Sequence, residues 1–226
     1  MPRRRRPRQS ELEFRQHGGR REGAGRKPSG KQAGVTHTRR PPLRRDHPVH
    51  VTLRIAAGLP RLRRKRAFKA IRDAIRNAQK SFFQVVEFSV QDNHLHLLVE
   101  ANDRRQLGRG MQGLKIRMAK ALNRLWQRKG TVFGDRYHAR ILRTPLEVKR
   151  ALSYVLNNAR RHAWQHGKRV LPRYWIDPYS SADQFPGWHE CFAESPDGVT
   201  REPRTWLLRV GWRRRGLLRL AEIPGR

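Results

Sequence analysis

Acidic side chains are scarce in this sequence. Eighteen Asp and Glu stand against 52 Lys and Arg in 226 residues, leaving a formal charge of +34. Asp135, Glu87 and Glu100 do not fall into a pattern that would build an acidic two-metal nuclease cluster. Cysteine is rarer still: Cys191 stands alone, which excludes an internal disulfide and a cysteine-based zinc cluster. No run of about 18 apolar residues occurs, and no signal-like apolar core follows the basic start, so the expectation is a cytoplasmic protein without a membrane span.

What the chain has in excess is positive charge. Such a field attracts polyanions, and Lys or Arg contacts to phosphates release counterions, so nucleic acid is the expected partner. Residues 1–46 read as a disordered polybasic arm, rich in Arg, Gly and Pro and without apolar periodicity. Residues 47–166 are patterned as a folded domain, and 167–226 form an aromatic and basic extension.

Within the patterned region, Val51, Leu53 and Ile55 alternate as in a strand. Ala67, Ala70, Ile71 and Ala74 give helical spacing over about 65–80. A second strand is expected over 82–90, with Val86, Phe88 and Val90 opposite Glu87 and Ser89, followed by a turn at Gln91-Asp92-Asn93. A third strand carries His94-Leu95-His96, a long helix covers about 103–128, and a fourth strand lies around 137–142. Thr144-Pro145-Leu146-Glu147 reads as a capping box opening a helix that should run to His166. This order predicts an α+β fold: a ferredoxin-like antiparallel sheet with helices on one face and a metal or DNA site on the other, flanked by basic extensions. The free face is expected to be lined by His50, Thr52, Glu87, Ser89, His94 and His96.

Side chains two apart on a strand point the same way, so His94 and His96 share a face suited to a divalent metal. On the helix that follows, at about 100° per residue, Val148, Ala151, Leu152, Val155 and Ala159 form the core stripe. Tyr154, Asn158 and Arg161 fall together on one flank. A tyrosine hydroxyl is a poor nucleophile at neutral pH unless its electrophile, here a phosphodiester, is polarised by a Lewis acid. His94, His96 and the Asn158 carbonyl would serve as ligands for Mg²⁺ or Mn²⁺, Tyr154 as nucleophile and Arg161 as a phosphate contact. Tyr137, beside Arg136 and His138, is the main competitor for the nucleophile's role, and Glu87 is a candidate to orient a ligand histidine.

His94-Leu95-His96 together with Tyr154-Val155-Leu156-Asn157-Asn158 resembles the motif pair of single-tyrosine HUH transposases. Over about residues 48–165 the chain is most similar to their REP-associated tyrosine transposase branch, and Phe133-Gly134-Asp135-Arg136-Tyr137-His138-Ala139-Arg140 also looks familial. The resemblance implies cleavage of single-stranded DNA beside a hairpin of REP-like repeats, giving a 5′-phosphotyrosine and a free 3′-hydroxyl. It also implies His94, His96 and Asn158 as metal ligands, Tyr154 as nucleophile, a monomer, and association with the nucleoid. The family often has a histidine two after the tyrosine and a proline after the ligand Asn; here those places hold Leu156 and Ala159. No Gly-Thr-Trp-Trp-type signature stands in the N-terminal arm. Lys115, Arg136 and Arg140, with Arg213, Arg214 and Arg215 beside the extension's tryptophans, are the further expected DNA contacts. The rival reading is a catalytically silent binder of structured nucleic acid.

Overall fold

A computed structural model describes residues 38, 40–165, 167, 171–190 and 197–225. Most of the expected polybasic arm, residues 1–37, lies outside the described residues, as do His166 and Cys191. Chain order runs β1 (Val49–Arg54), α1 (Lys65–Arg76), β2 (Phe83–Val90), β3 (His94–Ala101), α2 (Arg104–Leu125), β4 (His138–Ile141), α3 (Pro145–Leu156), α4 (Asn158–Gln165) and α5 (Trp206–Arg209), with short 3-10 turns at Ala182–Gln184 and Gly211–Arg215. The strands form one sheet in the order β2-β3-β1-β4. All neighbours are antiparallel, so each helical crossover, β1-α1-β2 and β3-α2-β4, skips one strand as a split βαβ unit does. No helix among the described residues is long and apolar enough to cross a membrane.

Local chemistry explains the element ends. Asp103 caps α2 by accepting from the Gln106 N–H at 2.8 Å. Thr144 and Glu147 form the expected reciprocal capping box at α3, behind Pro145. α1 stops at Arg76 rather than near residue 80: Asn77 takes the C-cap, and the Ala78 N–H turns to the Ile75 carbonyl, an i→i−3 bond that tightens the last turn. α2 lies so close to β2 that a Cβ on Gly110 would fall 2.1 Å from the Phe83 ring.

The sheet separates two cores. On one face Val51, Leu53, Phe88, Val90, Leu95 and Leu97 pack with α1 and α2. The second face was expected to be free of helices, and it is not: Val86 and Leu98 pack there with Val148, Leu152 and Val155 of α3 and with Leu207, Leu208 and Trp212 of the extension. The reason is a β-bulge between Val85 and Glu87. The extra residue turns Val86 to the face opposite Phe88 and Val90, and the apolar patch it makes with Leu98 has to be covered.

The helix expected to run through to His166 breaks at Asn157. Asn competes for backbone groups when it sits inside a helix. Here its amide nitrogen is drawn off to the Arg219 carbonyl of the extension at 3.0 Å. Tyr154 therefore ends one helix and Asn158 begins the next.

Candidate active site

Strand register assembles the site. Opposite His96 stand Thr52 on β1 and Ser89 on β2, and opposite Thr52 stands His138 on β4. One step along the sheet, Arg54 faces His94; one step the other way, His50 lies between Leu98 and Arg140. His50, Thr52, His94, His96, His138 and Arg140 thus share the second face by the alternation of strand side chains.

The two motif histidines turn the same nitrogen toward each other, Nε2 to Nε2 at 3.1 Å. His94 Nδ1 meets the Asn93 side-chain oxygen at 2.8 Å, which holds the proton on Nδ1 and leaves Nε2 with its lone pair. His96 Nδ1 lies 3.2 Å from both Thr52 Oγ1 and His50 Nε2. With its proton on Nδ1, His96 also presents an Nε2 lone pair, and two facing lone pairs call for a shared proton or a shared cation. A separation near 3 Å is that of adjacent ligands on one small divalent ion.

All three rings are kept neutral. Desolvation, helped by His138 and Arg140, lowers His50 to about 4. Desolvation, with His162 and Arg54 adding to it, lowers His94 to about 4. His96, 4% exposed, is pushed down to about 2 by desolvation, by the neighbouring His50, His94 and His162, and by Arg161. Neutral imidazole is the metal-binding form.

No group of three His, Cys, Asp or Glu among the described residues is placed to hold a metal, so a third donor beside the two histidines would be of another type. Asn158 is fully buried, and both its amide atoms lack a hydrogen-bond partner among the described residues. An unpartnered buried amide is destabilising by about 1–3 kcal/mol. His162, one turn further along α4 and so on the same face as Asn158, has its ring 6.0 Å from that of His94. Two imidazoles and a free amide oxygen form a donor set that fits Mg²⁺ or Mn²⁺.

Tyr154 stands edge-on to the same rings, 5.0 Å from His96 and 5.7 Å from His50 between centroids. The Arg161 guanidinium lies 5.1 Å from the phenol ring and donates to the Pro224 carbonyl at 3.4 Å. Tyr154 opens onto a cavity of about 730 Å³ whose wall includes His50, His138, Arg140, Arg150 and Arg161. Arg140 also pairs with Glu147 at 3.2 Å.

Four expected site residues, His94, His96, Tyr154 and Arg161, come together, with Asn158 on the adjoining helix; others do not join them. Tyr137 packs toward the α1–α2 core, on the opposite side of the sheet from the histidines, with Arg40 3.9 Å above its ring. Arg136 and Lys115 line a separate groove of about 550 Å³ with Tyr137, Arg40 and Arg104. Glu87 does not orient a histidine: its buried carboxyl, raised by desolvation to about 8, accepts from Ser181 Oγ at 2.5 Å. Arg213 stacks on Trp212 and donates to the Pro186 carbonyl, Arg214 lies over Trp206, and the Arg215 carbonyl accepts from Lys149. Arg150, absent from the expected set, was traceable in principle, since it stands one helical turn before Tyr154. His50 was placed on the polar face without a role.

Fold and site are those of an α+β protein carrying paired histidines and a tyrosine on one face of a four-stranded antiparallel sheet. The chain belongs to the IS200-like transposase family, whose sequence pattern, described as "Transposase IS200 like", matches residues 46–158. Among solved structures it is similar to a REP-associated tyrosine transposase bound to a REP hairpin, with TM-score 0.50 and 14% identity over 65% of this chain and 82% of that one. It is also similar to a bacterial tRNA-His guanylyltransferase-like protein in complex with ATP, with TM-score 0.42 and 12% identity over 54% of this chain and 60% of that one. No curated protein matches the chain in sequence.

Proposed function

We propose that the chain is a metal-dependent transposase that nicks and rejoins single-stranded DNA beside a hairpin, with Tyr154 as nucleophile. The observation that carries this reading is the placement of the Tyr154 ring 5.0 Å from His96, whose Nε2 meets that of His94. His94, His96 and Asn158 hold the metal. When bound, Mg²⁺ or Mn²⁺ supplies Lewis-acid polarisation of the scissile phosphate.

The rest of the chemistry belongs to the chain's own groups. Tyr154 Oη gives up its proton and bonds to phosphorus while the bond from phosphorus to the 3′-oxygen breaks. The 3′-oxygen leaves as a hydroxyl after taking a proton, and the 5′-phosphate stays on the tyrosine. Reversal by a 3′-hydroxyl rejoins DNA without ATP, because the phosphotyrosine conserves the phosphodiester bond. Arg161, Arg150 and Arg140 line the cavity beside Tyr154 and balance phosphate charge. Thr52 and His50 keep the proton of His96 on Nδ1, turning Nε2 toward the metal.

Residues 47–166 act as the catalytic domain, preceded by a polybasic arm and followed by an extension that walls the site. The groove of Arg40, Arg104, Lys115 and Arg136 grips the DNA away from the cleavage point, and Arg213, Arg214 and Arg215 add to the basic surface. The partner is hairpin-bearing single-stranded DNA of REP-like repeats, the protein acts as a monomer, and it works at the nucleoid.

The test mixes protein, a labelled hairpin oligonucleotide with single-stranded flanks and Mn²⁺ or Mg²⁺, followed by denaturing electrophoresis. A covalent protein–DNA band that needs metal and disappears in Tyr154→Phe is expected. A band of equal strength in Tyr154→Phe would remove that residue from the role, and no band over a broad set of hairpins would leave the protein a binder.

A further inference from the structure

At the opposite end of β3 from the histidines, a cavity of about 550 Å³ is walled by Arg44, Arg45, Asn102, Arg204 and Trp206, with Glu100 at its base. Glu100 is six residues beyond His94, about 20 Å along the strand at about 3.3 Å per residue, so this cavity is separate from the one at Tyr154.

Its construction is specific. The Glu100 carboxylate is buried and accepts from Gln84 Nε2 at 2.7 Å, the Arg204 N–H at 2.8 Å, the Thr205 N–H at 2.9 Å and Thr205 Oγ1 at 2.7 Å. Those bonds fix the two residues just before Trp206, the first residue of α5. Thr205 also caps that turn by accepting from the Leu208 N–H. The indole itself is held against Gly211, where a Cβ would come within 2.6 Å of the ring, with the Arg214 guanidinium 5.0 Å from its centroid. Yet Trp206 stays 48% exposed while its neighbours Leu207 and Leu208 are buried. A large aromatic surface is pinned in place and left facing solvent.

The surrounding charge says what would cover it. Arg45, Arg204 and Arg214 have no carboxylate ion pair among the described residues; of the cavity's arginines only Arg44 does, with Asp46. A flat π-surface bordered by guanidiniums whose charge no carboxylate among the described residues offsets, Arg204 bonding only the Ser81 carbonyl and Arg214 lying over the indole, matches an unpaired nucleotide, with the base stacked on the exposed part of the indole and the phosphate on arginine. We propose that Trp206, Arg45 and Arg204 form a second binding site for single-stranded DNA, taking one unpaired nucleotide of a flank that runs beyond the cleavage site. The proposal rests on the reading of the protein as a single-stranded-DNA enzyme. None of these residues falls within 46–158, the part matched by the family, so the site is an addition made by the flanking segments.

The experiment measures binding of the full chain, by fluorescence anisotropy, to a hairpin with and without oligothymidine tails on its 5′ or 3′ side. For the wild type, one tail polarity should strengthen binding, and in Trp206→Ala that gain should shrink about tenfold, in the range measured for loss of one base–aromatic stack. Trp206→Phe should restore most of it, and Arg45→Ala should lower the salt dependence of tailed-hairpin binding by about one phosphate contact. Thermal melting confirms that each variant is folded. A tail gain unchanged in Trp206→Ala overturns the site, as does an equal loss on the untailed hairpin or the absence of any tail gain in the wild type. Failure of the catalytic reading appears elsewhere: Tyr154→Phe should lose the covalent band and keep the tail effect, and Trp206→Ala should keep the band on a hairpin whose short single-stranded flanks hold the cleavage site but carry no oligothymidine tail.

Discussion

The two faces of the sheet are built on different terms. Under α1 and α2, the inward positions of all three long strands are apolar, and the packing is tight enough that α2 needs Gly110 against Phe83. On the other face, Val86 and Leu98 are covered by α3 and the extension, while the same strands carry His50, Thr52, His94 and His96 toward Tyr154. The first face answers only to packing. The second buries or half-buries polar groups that stability alone would replace, among them the buried His96 and the half-buried His50 and His94, all held neutral. Side chains whose protonation is shifted this far by their surroundings cluster where a protein does its chemistry.

Substitutions can break this contrast from either side. The largest effect is expected for Asn158→Leu and Tyr154→Phe, which should abolish the covalent DNA band. Asn158→Leu should at the same time leave unfolding stability unchanged or raise it by about 1 kcal/mol, since it removes an unpartnered buried amide. A folding defect in Asn158→Leu, seen in chemical denaturation, would mean that the amide is structural. On the packed face, Leu97→Ala should destabilise by about 2–5 kcal/mol and leave Mn²⁺ affinity of the folded protein unchanged by calorimetry.

A smaller effect is expected at His50. His50→Phe should lower Mn²⁺ affinity about 10- to 100-fold by freeing the His96 tautomer, and His50→Gln, which retains an acceptor, should recover part of it. Equal affinity in all three proteins would deny His50 that role.

The pH response should be the gentlest discriminator. The histidines are lowered on folding from 6.5 to about 4, about 4 and about 2, so the unfolded chain binds more protons below pH 6.5. Their stabilising contribution is complete above pH 6.5 and lost as pH falls, for His50 and His94 down to about 4 and for His96 down to about 2. Glu87 acts in reverse: raised from 4.5 to about 8, it contributes fully below pH 4.5 and loses that contribution as pH rises to 8. Glu87→Gln should therefore flatten the alkaline side of the stability profile in denaturant titrations and leave the acid side intact.

Much of this was visible in residue pattern. Strand alternation at Val51, Leu53 and Ile55, the capping box at Thr144 and Glu147, and the His94/His96 pair all depend on neighbours within a few residues. The helical wheel put Tyr154 and Arg161 on one flank, and they are in contact despite the break between them. Less visible were features set by partners far away in sequence. Trp206 and Trp212 belong to one short segment, yet Trp212 is buried and Trp206 exposed, because the packing of that segment against α3 and β2 decides which ring faces inward.

By itself, then, the sequence determined the element order, the basic field, the shared face of the two histidines and the tyrosine that follows them, since each is a matter of local periodicity or composition. Only the tertiary structure decided that the second face would be covered, that Asn157 would break the helix between Tyr154 and Asn158, that Glu87 would bond Ser181, and that His50 would stand behind His96. A bulge, a carbonyl from residue 219 and a strand register each come from segments brought together by folding, and no local pattern specifies which distant group a buried polar atom will find.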